Sequence, residues 1–400
     1  MRAAGSELSH DSLRSFDNPV LGRVLRWRNS MAREFTLGIE EEFQIIDGET
    51  GDLRCVVSEM LDANTALDEV ELQRELHQSM VEVATGICAN IQEVRRGVIK
   101  NRRAVSKIAA RTGRRIGAAS THPFARWQEQ VIDNSERYVS LVGELQDIAR
   151  ANLIFGLHVH VGLPDREEAI AIYNSARYFL PHLLALSTSS PFFNGRKTGL
   201  KSYRTQIFAR LPRTGIPERF ESLGEFERFV TTLVQTGCID DGRRIWWDIR
   251  PHPTYETLEF RICDVPTSVD DVVSIAALVQ AIVAKLTKLH RSNLTFNIHR
   301  TAFMEENKWR AARYGVAGSL IDFGKAREKP FCRLAEEILE FVDEVVDDLD
   351  SRTEVEGILR IVEHGTSADK QLEVFEQTGG NFQAVVDYIV QETMRGVGDE

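Results

Sequence analysis

Phe35, Leu37, Ile39, Phe43 and Ile45 are apolar and alternate with Thr36, Gly38, Glu40, Glu42 and Gln44. Alternation of this kind predicts a β-strand with one face in the core. The same period puts Glu40 and Glu42 together on the other face, about 6–7 Å apart. Two carboxylates that close repel each other unless water, a cation or an arginine stands between them. One such pair is what any solvated strand face carries. Here the two-faced pattern recurs in four later segments, and a chain that repeats it is driven towards a sheet with one apolar and one polar side.

In 153–161, Leu153, Phe155, Leu157, Val159 and Val161 form the apolar side, with Gly156, His158 and His160 opposite. In 257–263, Leu258, Phe260 and Ile262 alternate with Thr257, Glu259, Arg261 and Cys263. In 245–250, Ile245, Trp247 and Ile249 alternate with Trp246, Asp248 and Arg250. In 80–85, Val81 and Val83 flank Glu82, and Glu75 precedes them. If these strands share one sheet, its apolar face packs on helices. The polar face then gathers Glu40, Glu42, Glu82, His158, His160, Asp248, Arg250, Glu259 and Arg261. Carboxylates and histidines held on strands suit hard divalent cations and phosphates. Taken singly, each motif has a plain structural reading: a solvated face, a histidine satisfied within a sheet, a cross-strand ion pair of small worth. The joint recurrence points to a metal-dependent active site.

Four hundred residues and 42% apolar content allow a sizeable core. A net charge of −11 argues against a nucleic-acid partner. No run of 18 apolar residues stands out as a membrane span. Residues 1–30 carry charges throughout, lack the apolar core of a secretory signal, and read as a disordered N-terminal extension. The five cysteines, Cys55, Cys88, Cys238, Cys263 and Cys332, contain no Cys-x-x-Cys. Free thiols and a cytoplasmic location fit that spacing. Cys263 is expected on the polar face.

Between the strands, helical spacing and stop signals predict a helix over 90–112 ending at Gly113. Asp165 with Glu168 reads as a capping box for a helix running to Leu180 before Pro181, and Ser268 with Asp271 as another for 269–291. Residues 191–219 are rich in Pro and Gly and concentrate Arg196, Lys197, Lys201, Arg204, Arg210 and Arg213. In an acidic chain that stretch is either a clamp for an anionic substrate or a solvated loop. Beyond Glu305 the chain reads as helical and acidic, without evident chemistry. No Walker A or Gly-x-Gly-x-x-Gly pattern is present.

Four of these segments carry a family resemblance. They are Gly38–Phe43 (Gly-Ile-Glu-Glu-Glu-Phe), Gly156–Gly162 (Gly-Leu-His-Val-His-Val-Gly), Trp246–Pro251 (Trp-Trp-Asp-Ile-Arg-Pro) and Leu258–Arg261 (Leu-Glu-Phe-Arg). Their order and spacing resemble the type 2 glutamate–cysteine ligases, also called carboxylate-amine ligases, from about Phe35 to at least Leu289. The resemblance implies an α+β fold of glutamine-synthetase-like type: a curved, mainly antiparallel sheet with helices on its apolar face, forming a single catalytic domain over 31–400. It implies ATP and Mg2+, or Mn2+, as cofactors, and small amino-acid substrates, glutamate and cysteine by default. Glu40, Glu42, Glu75, Glu82, His158 and Glu259 take the metal-ligand positions, and Arg261 contacts the transferred phosphate. Arg204 and Arg250 are further catalytic candidates, Arg204 with Arg261 on the nucleotide. His160 departs from the pattern and its role stays open. A homodimer would be unsurprising. A metal-dependent hydrolase using His158, His160 and the carboxylates is the alternative; it would need no ATP.

Overall fold

The computed structural model describes residues 34–65 and 70–398, so the expectations for residues 1–30 lie outside the described residues. The apolar alternation resolves into one antiparallel sheet of seven strands. They are β1 Leu37–Asp47, β2 Leu72–Arg74, β3 Met80–Ala84, β4 Arg114–Gly117, β5 Leu157–Gly162, β6 Ile249–Pro251 and β7 Thr257–Phe260. The order is β6-β7-β5-β1-β3-β2, with β4 pairing the far end of β1. Phe35, Leu37, Ile39, Phe43, Val81, Val83, Leu157, Val159, Leu258 and Phe260 are all buried in one core. The helices Ile91–Arg111 and Val269–Arg291 cover that face. Each large side chain so removed from water contributes about 1.5–3 kcal/mol before entropy is counted.

Val269–Arg291 has the length and apolar composition of a membrane span, with a mean hydropathy of 1.8 over its window. It is the core helix: 83% of that window is buried against the sheet and neighbouring helices. Ile91–Arg111 begins where Asn90 Oδ1 accepts the Glu93 N–H at 2.9 Å, and the chain leaves it through Gly113 at φ +71°.

Several boundaries differ from the sequence expectation. Residues 153–156 lie outside β5, although Phe155 N–H donates to Ser120 O and Gly156 bridges Asp264. The segment 245–250 divides at Asp248: Trp246–Trp247 pairs in parallel with Thr214–Gly215, and only Ile249–Pro251 joins the main sheet. Asp248 makes the break, donating its N–H to Gly215 O while its carboxylate accepts from Lys308 Nζ at 2.6 Å. The expected capping boxes are incomplete because larger partners compete. Asp165 does cap Glu167 and Glu168, but the Glu168 carboxylate is taken by Arg291. Ser268 makes no side-chain cap, and Asp271 pairs with Arg360 at 2.9 Å. Pro181 does not end a helix. Arg166–Ala176 stops earlier, and Pro181 sits in the first turn of Leu180–Ser187, where its missing N–H is harmless.

The C-terminal part is helical as expected, through Thr301–Tyr314, Phe331–Val346, Arg352–His364, Ser367–Gln377 and Phe382–Thr393. It also contains an unexpected hairpin, Ser319–Asp322 with Arg327–Pro330. Cys263 is not on the polar face. It is fully buried among core side chains, and burial pushes its thiol up to about 12.

Candidate active site

Strand register alone assembles the polar side. Glu82 on β3 stands opposite Glu42 on β1, and Glu40 on β1 opposite His158 on β5. His160 on β5 is paired with Glu259 on β7, which in turn faces Arg250 on β6. The result is a staircase of charged and imidazole groups running across five strands. Glu75 joins it from the turn after β2, where Tyr138 Oη donates to its Oε2 at 3.1 Å.

The imidazoles are defined by the carboxylates beside them. His158 Nδ1 lies 2.8 Å from Glu40 Oε2, and His160 Nε2 lies 3.2 Å from Glu40 Oε1. Burial disfavours an ionised Glu40, but hydrogen bonds and charge from His158 and His160 outweigh it and hold the carboxyl well below the usual range. Burial, with Arg261 nearby, pushes His158 down to about 4, so at neutral pH it is the uncharged partner. The tautomer that donates from Nδ1 to Glu40 leaves a lone pair on Nε2. That atom is buried and has no hydrogen-bond partner. His160 Nδ1 is 3.1 Å from Thr257 Oγ1, and its ring meets His252 edge-on at 5.4 Å.

The remaining carboxylates are crowded. Burial and then the charge of Glu75 push Glu42 up to about 7, even though its Oε2 accepts the Gly156 N–H at 2.5 Å. Burial, reinforced by Glu75, Glu40 and Glu42, raises Glu82 well above the ordinary carboxyl value. Glu75 is raised by burial against the opposing charge of Arg137. Glu259 goes the other way. It is 1% exposed, yet Arg261 and Arg250 overcome the cost of burial and hold it ionised. Arg250 donates Nε to Glu259 Oε2 at 2.6 Å and spends Nη1 on the carbonyls of Arg243 and Ile245. Arg261 Nη1 pairs with Glu259 Oε1, while its Nε is buried without a partner.

Two sets of ligand atoms converge within 4.8 Å of one another: Glu40, His158 and Glu259, and Glu42, Glu82 and His158. A buried neutral imidazole nitrogen with no partner, between carboxylates that repel one another, is the donor chemistry of a divalent-cation site. Five of the six sequence-derived ligands supply these atoms, a donor set that fits a divalent cation; Glu75 lies in neither set. A pH dependence follows from Glu42. Its carboxyl rises from 4.5 to about 7 on folding, so between those values the folded form binds more protons than the unfolded form. Stability of the cation-free protein should then fall as pH climbs through that window, and added Mn2+ should restore it near pH 7. Thermal midpoints across pH 5 to 7.5 check this; a flat cation-free profile would contradict the crowding.

The structure treats the other expectations unevenly. Of the basic residues in 191–219, Arg204 is the one brought to the cluster. It is buried, donates Nη1 to Ile262 O and Nη2 to Arg261 O, and its charge acts on Glu42. Lys197 and Lys201 instead pair with Glu376 and Asp369 of the helix Ser367–Gln377, and Arg213 lies over Trp246. Arg196 and Arg210 are exposed. The stretch is chiefly a structural tie, with no six-residue clamp. Asp248 is engaged by Lys308 and offers no free carboxylate. Sequence reasoning missed Tyr138 and Arg137, which lie on a helix without any strand period. It also missed a cavity of about 570 Å³ along the β6 edge, lined by Phe226, Asp241, Arg243, Arg250 and His252 among others. His252 is stacked on the exposed ring of Tyr255 at 4.5 Å.

Comparison with known proteins finds relatives along most of the chain. The family model for glutamate-cysteine ligase family 2 matches residues 36–388. A protein of Herpetosiphon aurantiacus named "Putative glutamate--cysteine ligase 2" is 53% identical over 363 residues, covering 91% of this chain and 94% of its own. A protein of the same name from Sorangium cellulosum is 53% identical over 366 residues, covering 91% and 97%. Among solved structures, a glutamate–cysteine ligase from Francisella tularensis, crystallised with AMP, superposes with a TM-score of 0.65 at 13% identity, covering 91% of this chain and 89% of that one. A bifunctional glutathione synthetase from Pasteurella multocida gives 0.64 at 15% identity, covering 94% of this chain and 54% of that one. At such identities the structural likeness speaks for the fold alone, an α+β fold shared with these two ligases. With the family model spanning nearly the whole described chain, the protein belongs to glutamate–cysteine ligase family 2 and is an amide-forming ligase.

Proposed function

We propose that the enzyme is an ATP-dependent carboxylate–amine ligase that activates glutamate on its side-chain carboxylate and joins it to cysteine or another small amine. The observation that supports this most is the convergence of Glu40, Glu42, Glu82 and Glu259 with His158, whose Nε2 is unpartnered, with Arg261 and Arg204 alongside. A carboxylate is a poor electrophile in water. Phosphorylation gives an acyl phosphate, from which an amine displaces phosphate to leave an amide. Such transfer depends on positioning and charge stabilisation.

Glu40, Glu42, Glu75, Glu82, His158 and Glu259 would hold Mg2+, or Mn2+ in its place. Bound there, the cations supply positive charge that offsets both the phosphate oxygens and the crowded carboxylates. The chain does the rest by placement. Arg250 pins Glu259, and Tyr138 pins Glu75, so neither carboxylate swings away. Arg261 keeps a planar, permanently charged fork with a spare Nε–H at the cluster, suited to the oxygens of a phosphoryl group in flight. His158, neutral at physiological pH, offers a lone pair rather than a repelling charge. The cavity of about 570 Å³ beside Arg250, rimmed by His252, has a volume suited to a nucleoside. We read residues 31–400 as the catalytic unit and amino acids as the substrates.

The test is interception. Enzyme, ATP, Mg2+ and glutamate with hydroxylamine should yield γ-glutamyl hydroxamate together with ADP and phosphate. Product should vanish when ATP is omitted or the cation chelated. Absence of hydroxamate from any amino-acid donor, with ATP-independent cleavage of amides or esters seen instead, would overturn the ligase chemistry and favour a metallohydrolase.

A further inference from the structure

Arg204 opens the short helix Arg204–Phe208 at the end of a long connecting segment, and it is useful there only if something fixes that segment. The buried carboxylate of Asp264 does so. Its Oδ2 accepts the Ser190 hydroxyl at 2.7 Å and the Ser189 N–H at 2.9 Å, while its Oδ1 accepts the Ser202 hydroxyl at 2.9 Å. Ser190 and Ser202 are the two ends of the segment, and one carboxylate thus closes it like a buckle. Backbone bonds complete the closure, from Ser190 N–H to Lys201 O and from Tyr203 N–H to Ser190 O.

The connection to Arg204 is direct. Ser190 Oγ, while donating to Asp264, accepts the Arg204 N–H at 3.1 Å. The guanidinium is then held by the carbonyls of Arg261 and Ile262, in the stretch that leads into Asp264. A Cβ at residue 156 would stand 2.6 Å from Arg204 Nη2 and 3.3 Å from His158 Nε2, so Gly156 is what lets the guanidinium lie beside the histidine. Arg204 is 4% exposed, and its Nε has no partner within the protein. A buried N–H left unspent costs free energy unless a ligand takes it up.

We propose that Asp264 is a positioning residue of the ligase: through Ser190 and Ser202 it fixes Arg204 against His158 so that the spare Nε–H meets an anionic oxygen of the bound substrates. The catalytic consequence rests on the ligase reading above; the positional one does not. Asp264 touches no reacting atom, and its effect passes through Arg204.

The experiment is a cycle of variants: Asp264→Ala, Ser190→Ala, Arg204→Lys and the doubles with Arg204→Lys. Asp264→Ala should lower kcat by about a hundredfold, the scale of a misplaced group, with the KM for ATP moving far less. Ser190→Ala, the milder change, should lose rate in the same direction and keeps the test alive if Asp264→Ala folds poorly. Each double should fall within about threefold of Arg204→Lys alone, because the buckle has nothing left to position. Fully multiplicative losses would show that Asp264 merely supports the fold and would overturn the proposal. The second arm needs no turnover. The Nε–Hε resonance of Arg204, assigned by its loss in Arg204→Lys, should be protected in the parent and exchange faster in Ser190→Ala and Asp264→Ala. An unchanged resonance would also overturn the proposal. Wild-type enzyme without ATP-dependent product would instead count against the ligase reading, leaving the resonance to decide the positioning.

Discussion

Replacing Glu259 by glutamine is expected to abolish ATP-dependent turnover and to destabilise the protein, whereas Glu82→Gln should abolish the same turnover without that cost. The two glutamates share a face of the sheet but not an environment. Glu259 neutralises two buried guanidinium groups, Arg250 and Arg261. Removing its charge leaves these two buried cations without their shared counter-charge, a loss on the order of 3 kcal/mol. Glu82 is surrounded by Glu75, Glu40 and Glu42, which push its carboxyl upward. It is readily protonated in the absence of cations, so a neutral isostere is tolerated. Cation-free thermal unfolding of Glu82→Gln should match the parent near pH 4, below the ordinary carboxyl value, and exceed it increasingly as the pH is raised from there. Both variants should lose more than about a hundredfold in hydroxamate formation, since outer partners of metal ligands alone are worth 10–100-fold. Parental turnover in either variant would remove that residue from the cation site. A Glu259→Gln protein as stable as the parent would mean that the arginines find other partners.

The contrast was not visible in the sequence, where Glu40, Glu42, Glu82 and Glu259 look alike. Period-2 alternation tells which face a side chain occupies, and it placed His158 opposite the core and Phe260 within it. It does not say which strand lies next to which. The pairing of Glu40 with His158, 118 positions apart, and of Glu42 with Glu82 is long-range register, set by the sheet as a whole. The family resemblance named the ligand set without pairing any strands, and Glu75 became a ligand candidate only by that route. Residues off the strands carried no periodic signal, which is why Tyr138, Asp264 and the His252–Tyr255 stack went unseen. Local rules failed where a distant charge outbid the near one. Glu168 was drawn from its cap by Arg291, and Asp271 by Arg360.

Glu41 is the sharpest case of a residue that alternation places but cannot explain, and it carries the largest expected effect on stability. It shares the core-facing side of β1 with Ile39 and Phe43, where a lone carboxylate would be prohibitive. Arg102, from the helix Ile91–Arg111, resolves it. The guanidinium is fully buried and gives Nε and Nη2 to Glu41 Oε1 at 3.1 and 2.6 Å. It spends the remaining donors on the carbonyls of Pro266, Thr267 and Thr393. One side chain thus joins the strand bearing Glu40 and Glu42, the chain just before Val269–Arg291, and the C-terminal end of Phe382–Thr393. Arg102→Met should therefore cost about 3–5 kcal/mol, because it strands a buried carboxylate and three carbonyls. Combining it with Glu41→Leu should recover part of that loss by removing the stranded charge, but not all of it, since the carbonyls remain unpaired. Urea titrations of the two single variants and the double measure each quantity. The double variant should also show a C-terminal helix more open to proteolysis and weaker Mn2+ binding, because Glu40 and Glu42 flank the altered position. A double variant as stable as the parent would mean that the three carbonyl bonds contribute nothing; an Arg102→Met protein within about 1 kcal/mol of the parent would mean that Glu41 and the carbonyls find other partners.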